Sequence, residues 1–475
     1  MSKKFYITTT LAYTNSNPHI GFAAEIIRAD ILARWHRLLG EEVVFSTGTD
    51  EHGLKIYQQA EAAGLSPRAY CTPYAERFQK LHEVLEISAT DFIRTSDDNH
   101  AAAVQEFWRR TEANGDIYKK RYQVKYCVGC ELEKTDSELV AGRCPLHPNR
   151  ELETIDEENY FFRFSKYQQP LLDFYNAQPN FVLPAHRQKE IFNFVSSGLR
   201  DFSISRLAAK MPNGVPVPGD PEQVIYVWFD ALVNYISVLG WPNADSRYQD
   251  FWPGLQVCGK DNLRQQSAMW QAMLLALGLP NTKQVAVFGF LTANGEKISK
   301  SAGSAIDPFA QVEKYNSAAV RLYLAGEIPP FEDGDYNEDN LVRRYNADLA
   351  NGLGNLSARV ATLLEKNELA TNLSPQIPAP WHEDFKKSLD NFKFNEAWEI
   401  LNQEVRSANE KLTAAAPWKL SDREEIRQIL TPLAQTILNI AWYLQVFLPK
   451  AAEKLLMQYG AAQIKKGDSL FPRLG

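Results

Sequence analysis

The stretch from Phe5 to Gly53 constrains the fold more than any other. FYITTT at 5–10 is a short run of β-formers, and LAYTNSNPHIGF follows as a loop rich in turn residues. From Ala23 the period becomes helical. Ile27, Ile31, Trp35 and Leu38 recur at three- to four-residue spacing, Arg28 and Asp30 fall on the other face, and Gly40 is a stop. Val43 to Ser46 is a second β run, ending in GTDEHG at 48–53, and another helical stretch follows. Strand, loop, helix, strand is the opening of a βαβ unit and calls for a parallel sheet. Ligands of such sheets bind beyond the carboxyl ends of the strands, where both polar loops fall.

Further along, residues 116–150 are irregular and cysteine-bearing, which reads as an insertion. QVIYVWFDALVNYI at 223–236 and QVCGKDN at 256–262 read as renewed β runs that end in polar loops. QVAVFGFL at 284–291 is followed by the turn TANG and by KISKS at 297–301. From about 340 the pattern is almost wholly helical, broken at Pro375, Pro378, Pro380 and Pro417. The expectation is an α/β domain split by an insertion, then a C-terminal helical bundle. A chain of 475 residues is long enough for about three domains. No run approaches 18 apolar residues, so no membrane span is expected. The start, MSKKFYITTT, has no apolar signal core, so export is not expected and a cytoplasmic location is. Lys and Arg number 51 against 58 Asp and Glu, a net charge of −7. A nonspecific nucleic-acid binder is usually basic, so any such contact here has to be local.

Three of the five cysteines stand together, in Cys127-Val-Gly-Cys130 and Cys144-Pro-Leu-His147, with 13 residues between the pairs. Two intervening residues let a tight turn present both ligands of a pair to one ion. Three thiolates and one imidazole make a closed site of the structural zinc type, one zinc per chain, with no position left for water and remote from any chemistry. A redox pair or coincidental packing is the other reading. Cys71 and Cys258 read as small buried residues.

His19-Ile-Gly21-Phe22 stands between the first strand and its helix. Gly21 lets a ligand approach the backbone, the helix start offers N–H groups, and His19 can donate to a phosphate oxygen. His19 also reads as a capping or packing residue. Downstream, Lys297-Ile-Ser-Lys300-Ser301 puts two cations and two hydroxyls on one loop, suited to a transition state that spreads charge over a triphosphate. Alone, that loop equally reads as solvated surface.

HIGF and KISKS resemble the HIGH and KMSKS signatures of the class I aminoacyl-tRNA synthetases. GTDEHG at 48–53, YVWFDA at 226–231, GKDN at 259–262 and the cysteine insertion resemble the methionyl branch of that family in particular. The similarity runs from ITTT at 7–10 to the helical region around Trp418. It implies a Rossmann-type catalytic domain, with first half 1–115 and second half 206–290, split by the connective insertion 116–205 with its knuckle. A KISKS and stem-contact region at 291–345 and a helical anticodon-binding domain at 346–475 would follow. It implies ATP with Mg2+, L-methionine and tRNA(Met) as partners. The chain ends without an appended C-terminal module, which implies a monomer.

By the same resemblance, His19, Lys297 and Lys300 would be catalytic. These three and Gly21 would serve the ATP phosphates, and Gly259 and Asp261 the adenosine side. Asp50 would pair with the amino group of methionine, and Arg206 would belong to the activation site. Leu11, Tyr13, Trp228, Ala231, Leu232 and Tyr235, with Asn262 and Gln266, would line the side-chain pocket. Asn355, Arg359 and Trp418 would read the anticodon, by paired hydrogen bonds to base edges and by stacking.

Three positions depart from the family pattern. Phe22 replaces a second histidine, which removes one phosphate-side donor. Asn262 stands where an aliphatic residue is common, and Gln266 where a histidine is. They are tolerated exchanges or signs of a changed substrate, as in a synthetase-like paralogue that activates another amino acid or acts without tRNA. The leucine, isoleucine and valine enzymes carry a large editing insertion, for which the roughly 90 residues at 116–205 leave no room.

Overall fold

The strand Lys4–Thr9 pairs in parallel with Glu42–Asp50, Phe5 opposite Val43 and Ile7 opposite Phe45, as the opening pattern requires. These coordinates are a computed structural model, which describes residues 3–134, 138–244, 246–293, 296–297 and 306–475. Across the sheet the order is Ala12–Tyr13, Glu42–Asp50, Lys4–Thr9, Leu255–Gly259, Gln284–Phe288 and Val182–Leu183, with Asp91–Arg94 also on Glu42–Asp50. Every pairing is parallel. From Lys4–Thr9 the order runs one way through the early strands and the other way through the late ones. Its carboxyl end and that of Leu255–Gly259 therefore lie side by side at a switch point.

The chain forms two units: Met1–Pro18, Gly40–Lys80 and Ala89–Phe288 make the first, and His19–Leu39, Leu81–Ser88 and Gly289–Gly475 the second. In the first unit, Phe107 meets Phe229, Trp241 and Trp270 at ring separations of 5.8, 5.6 and 6.0 Å at the centre of the core. The insertion is a long antiparallel ribbon, Ile117–Cys127 against Glu153–Phe162, with the cysteine pairs at its tip. Of the run 223–236, read above as β, the part from Val227 on is helical, from Val227 to Ala231 and from Asn234 to Ser237. Only Asp220–Ile225 is a strand there, in a small antiparallel sheet of its own. A short apolar run buried on all sides has no period to separate strand from helix.

The second unit is mostly helical, including Phe394–Ala415, Arg423–Leu444 and Pro449–Tyr459. The helix Ile20–Leu38 belongs to it, and Arg28 and Asp30, read above as falling on the other face from its apolar residues, are buried as well. Their partners explain it. Arg28 donates to the carbonyls of Leu324, Ile328 and Pro329 at 3.4, 3.1 and 3.2 Å. These carbonyls lie in and just beyond a π-helical turn, Tyr323–Glu327, and those at a helix end have no intrahelical donor. Asp30 accepts from Arg321, from Arg34 and from both the amide and the hydroxyl of Ser88. Among the described residues, no helix is long and apolar enough to cross a membrane.

Candidate functional site

In the first unit the site is built from the carboxyl ends of the sheet strands. Tyr13 lies opposite Asp50 in register, and the Asp50 carbonyl accepts from both the amide and the hydroxyl of Thr14 at 3.1 Å. The Asp50 carboxylate is buried. Its Oδ1 accepts from the His52 amide at 3.4 Å and from Thr95 at 3.3 Å, while no donor among the described residues reaches Oδ2. Burial, with Asp230 close by, pushes its pKa up to about 8. Behind it, Asp230 joins two imidazoles, His52 Nδ1 at 2.5 Å and His100 Nε2 at 2.9 Å, and His100 Nδ1 meets Ser237 at 2.8 Å. Burial opposes the charge of both His52 and Asp230, but each holds the other ionised, His52 above its ordinary value and Asp230 below.

The other candidates for the side-chain pocket are spread over neighbouring elements. Leu11 and Tyr13 follow the first strand and are partly buried. Trp228 and Ala231 sit on the helix Val227–Ala231, and among the described residues the Trp228 indole N–H has no hydrogen-bond partner. Leu232 and Tyr235 belong to the core, Tyr235 lying 5.9 Å from Trp270. Gln266, on a π-helical segment, donates from Nε2 to Thr10 at 2.8 Å, next to Leu11, and its buried Oε1 has no partner among the described residues. Asn262 turns instead to Asp261, at 3.4 Å, on the short 3-10 turn that follows Gly259. Arg206 donates to Ser203 and to the Ser205 carbonyl, both at 2.7 Å, and stacks over the rings of Tyr126 and Tyr226 at 5.2 and 4.6 Å.

At the ribbon tip, the ligand atoms of Cys127, Cys130, Cys144 and His147 all lie within 4.8 Å of one another. A zinc tetrahedron with arms of about 2.3 Å has edges of roughly 3.8 Å. His147 Nδ1 is 3.7, 3.2 and 4.0 Å from the three sulfurs in turn, so the four donors fit that ion. Gly129 is needed here, because a Cβ would come within 2.6 Å of the His147 ring. The expectation that the knuckle stands apart from the site meets one exception: Glu131, directly after Cys130, bonds to Tyr13.

In the second unit, His19 caps the helix Ile20–Leu38. Its Nδ1 accepts from the amides of Gly21 and Phe22 at 3.1 and 3.3 Å, which leaves the proton of the neutral ring on Nε2. A Cβ at Gly21 would come within 3.0 Å of that ring. The Ile20 amide donates to the carbonyl of Ile306, just past the KISKS segment. Lys297 lies on a short strand opposite Thr292, and only its backbone is described. Lys300 lies outside the described residues. Asn355 and Arg359 are one turn apart on the helix Asn355–Lys366. The Arg359 guanidinium stands 5.2 Å over the ring of Trp418, which remains 46% exposed.

Sequence reasoning missed His52, His100, Asp230 and Glu131. His52 and Asp230 lie within the quoted GTDEHG and YVWFDA motifs, and Glu131 adjoins a metal-type pair, so the signal was proximity to a motif rather than a pattern of their own.

The profile of the family described as tRNA synthetases class I (M) matches residues 5–153 and 148–361, more than half of the chain. The methionine–tRNA ligase of Thermosynechococcus vestitus is 41% identical over 100% of this chain and 93% of its own length. That of Brucella suis biovar 1 is 40% identical over 96% and 91%. Among solved structures, Mycobacterium tuberculosis methionyl-tRNA synthetase in complex with methionyl-adenylate matches with a TM-score of 0.92 at 35% identity, covering 99% of this chain and 100% of that one. Its apo form matches at 0.86 with 32% identity, covering 100% and 98%. A parallel sheet with its polar loops at a switch point, a Cys₃His tip and this likeness along the whole length place the chain in the class I tRNA synthetases, among the methionine–tRNA ligases.

Proposed function

We infer that the chain activates methionine with ATP and passes the methionyl group to tRNA(Met). The observation that carries this reading is the register of Tyr13 with Asp50 at the sheet's carboxyl end, in a chain 41% identical to a methionine–tRNA ligase. A carboxylate oxygen of methionine attacks the α-phosphorus of ATP. The bond to the β-phosphate oxygen breaks, pyrophosphate leaves, and a terminal ribose hydroxyl of the tRNA then displaces AMP from the acyl carbon. No side-chain nucleophile is needed, only placement and charge stabilisation.

The residues divide that work. Asp50, with Oδ2 open to a donor, takes the substrate ammonium. Leu11, Tyr13, Trp228, Ala231, Leu232 and Tyr235 shape the thioether pocket, and Gln266, tied to Thr10, and Asn262, turned to Asp261, leave it mainly apolar. Gly259 and Asp261 hold the adenosine side. His19 donates from Nε2 to phosphate, with Gly21, Lys297 and Lys300 supporting the developing charge, and Arg206 serves activation. Mg2+ arriving with ATP neutralises phosphate charge. Phe22 supplies no such donor, so the phosphates depend on His19 and the two lysines. Cys127, Cys130, Cys144 and His147 hold one structural zinc, and metal analysis of the purified chain is expected to give about one equivalent, lost when Cys127 and Cys130 are both changed to Ser. Asn355, Arg359 and Trp418 read the anticodon, and the cytoplasm, where tRNA is charged, is the place of work.

The test is amino-acid-dependent pyrophosphate exchange across the twenty amino acids, followed by tRNA charging, with Trp418→Ala alongside the wild type. Methionine is expected to support the fastest exchange in both proteins. Charging by Trp418→Ala should fall roughly 5- to 150-fold, the worth of one stacked base. Faster exchange with a polar amino acid would overturn the methionine assignment. A parallel loss of exchange in Trp418→Ala would make that residue a folding element.

A further inference from the structure

The Glu131 side chain is buried at the root of the cysteine knuckle, on a residue with φ of +54°, and one of its bonds reaches Tyr13 of the pocket. Oε1 accepts from the Tyr13 hydroxyl at 3.1 Å and from the Lys55 amide at 3.1 Å. Oε2 accepts from the Tyr126 hydroxyl, and the Glu131 carbonyl accepts from Tyr226. Tyr126 and Tyr226 are the two rings over which Arg206 stacks. The Lys55 amide lies in the first turn of the helix Leu54–Ala62, whose N-cap, Gly53, offers no side chain, so Glu131 also caps that helix. Gly53 adopts φ of +111°, and a Cβ there would meet the Tyr13 hydroxyl at 2.6 Å and Glu131 Oε1 at 3.0 Å. GTDEHG thus ends in glycine where Tyr13 and Glu131 close over it.

We propose that Glu131 is a positioning residue: it fixes the Tyr13 hydroxyl in the methionine pocket and ties that ring to the Arg206 stack, so that the knuckle sets the shape of the pocket. A carboxylate suits this place because it accepts from several donors at once. An alanine would leave the Tyr13 and Tyr126 hydroxyls and the Lys55 amide facing one another with no acceptor between them. Metal binding is a separate matter, since the ligand atoms belong to other residues.

The inference rests on methionine as the substrate, and the test keeps the two apart. Full-length wild type, Glu131→Gln, Glu131→Ala, Tyr13→Phe and the Glu131→Ala/Tyr13→Phe double variant are compared by methionine-dependent pyrophosphate exchange, with zinc content and melting recorded for each. Glu131→Ala is expected to raise KM for methionine roughly 5- to 150-fold, the effect of buried partners left unsatisfied, with KM for ATP and zinc content unchanged. Glu131→Gln keeps an acceptor oxygen for Tyr13 and Lys55 and should stay within about threefold of wild type. The double variant should be no worse than the more impaired single one, because both changes remove one coupled interaction. A lower melting temperature in Glu131→Ala with KM for methionine unchanged would reduce Glu131 to a helix cap and overturn the proposal. So would effects that simply add in the double variant, or a Gln variant as impaired as Ala. If the wild type itself fails to exchange with methionine, it is the functional reading that falls.

Discussion

Asp50→Ala is expected to lose methionine-dependent exchange by roughly 30- to 5,000-fold, the 2–5 kcal/mol that removal of one partner of a buried charged contact costs. The change should leave the fold intact. In the ligand-free protein the Asp50 carboxylate is itself poorly placed: burial and the nearby charges of Asp230 and Glu131 push its pKa up to about 8, and only His52 opposes them. A carboxyl whose folded-state value is raised binds more protons folded than unfolded, so its contribution to stability falls as pH rises from about 4 to about 8. Removing it should therefore preserve or raise the melting temperature at pH 8 while activity disappears. A joint loss of both would make Asp50 a structural residue.

The same shift sets a pH dependence for methionine binding. The ammonium group needs an ionised Asp50, so binding releases the proton that Asp50 holds below pH 8. Affinity should rise with pH, by up to roughly tenfold per unit, and level off near pH 8. Tryptophan fluorescence titrations at pH 6, 7 and 8 would show it, with Asp50→Asn flat over the same range. A wild-type affinity that does not change over this range would mean that Asp50 is already ionised before methionine arrives.

What the sequence made legible follows from the range over which each signal acts. The sheet was legible from local period, because Lys4–Thr9, its loop, its helix and Glu42–Asp50 are consecutive and each has its own pattern. The knuckle was legible because metal geometry dictates spacing: two ligands two residues apart, twice. The ribbon that carries it was not. KKRYQVKY does place Tyr122, Val124 and Tyr126 at alternate positions, but its partner strand ETIDEENY is mostly charged and leaves no matching hydrophobic period to read. Residues 226–236 failed for the opposite reason, being apolar except at Asp230 and Asn234.

Site roles divide in the same way. The placement of Asp50 and Tyr13 at strand ends followed from the βαβ reading, but their pairing with methionine rested on resemblance. Glu131 stands beside a recognised metal pair, yet its partner Tyr13 is 118 residues away, and nothing local says where the carboxylate points. His100 and Asp230 meet across 130 residues. The structure also settled one open local reading: His19 is a capping residue, and that same cap fixes its tautomer with a donor on Nε2.

The burial of Asp30 was not legible because a charge within a helix normally marks its wet face, and what reverses that rule is a partner about 290 residues along the chain. Arg321 is almost wholly buried and uses its whole fork: Nε donates to the Phe447 carbonyl at 2.7 Å, Nη1 to Leu85 at 2.8 Å, and Nη2 to Asp30 at 2.7 Å and Val446 at 3.3 Å. Arg321→Met should cost about 3–5 kcal/mol, because it strands Asp30 and three buried carbonyls rather than because the pair itself is strongly favourable. In a unit of this size that is a fall of roughly 6–20 °C in melting temperature. Adding Asp30→Leu should recover part of the loss, since an apolar pair of similar volume often replaces a buried ion pair without cost. The acid limb gives an independent check. Burial would raise the Asp30 carboxyl, but Arg321 and Arg34 hold it below its ordinary 3.8, so its contribution is complete above that value and is lost as pH falls through the lowered one. Acid unfolding of Arg321→Met should accordingly begin at higher pH than in the wild type. A loss under 1 kcal/mol with the acid limb unmoved would mean that Arg34 and Ser88 suffice for Asp30 and that the Arg321 fork is dispensable.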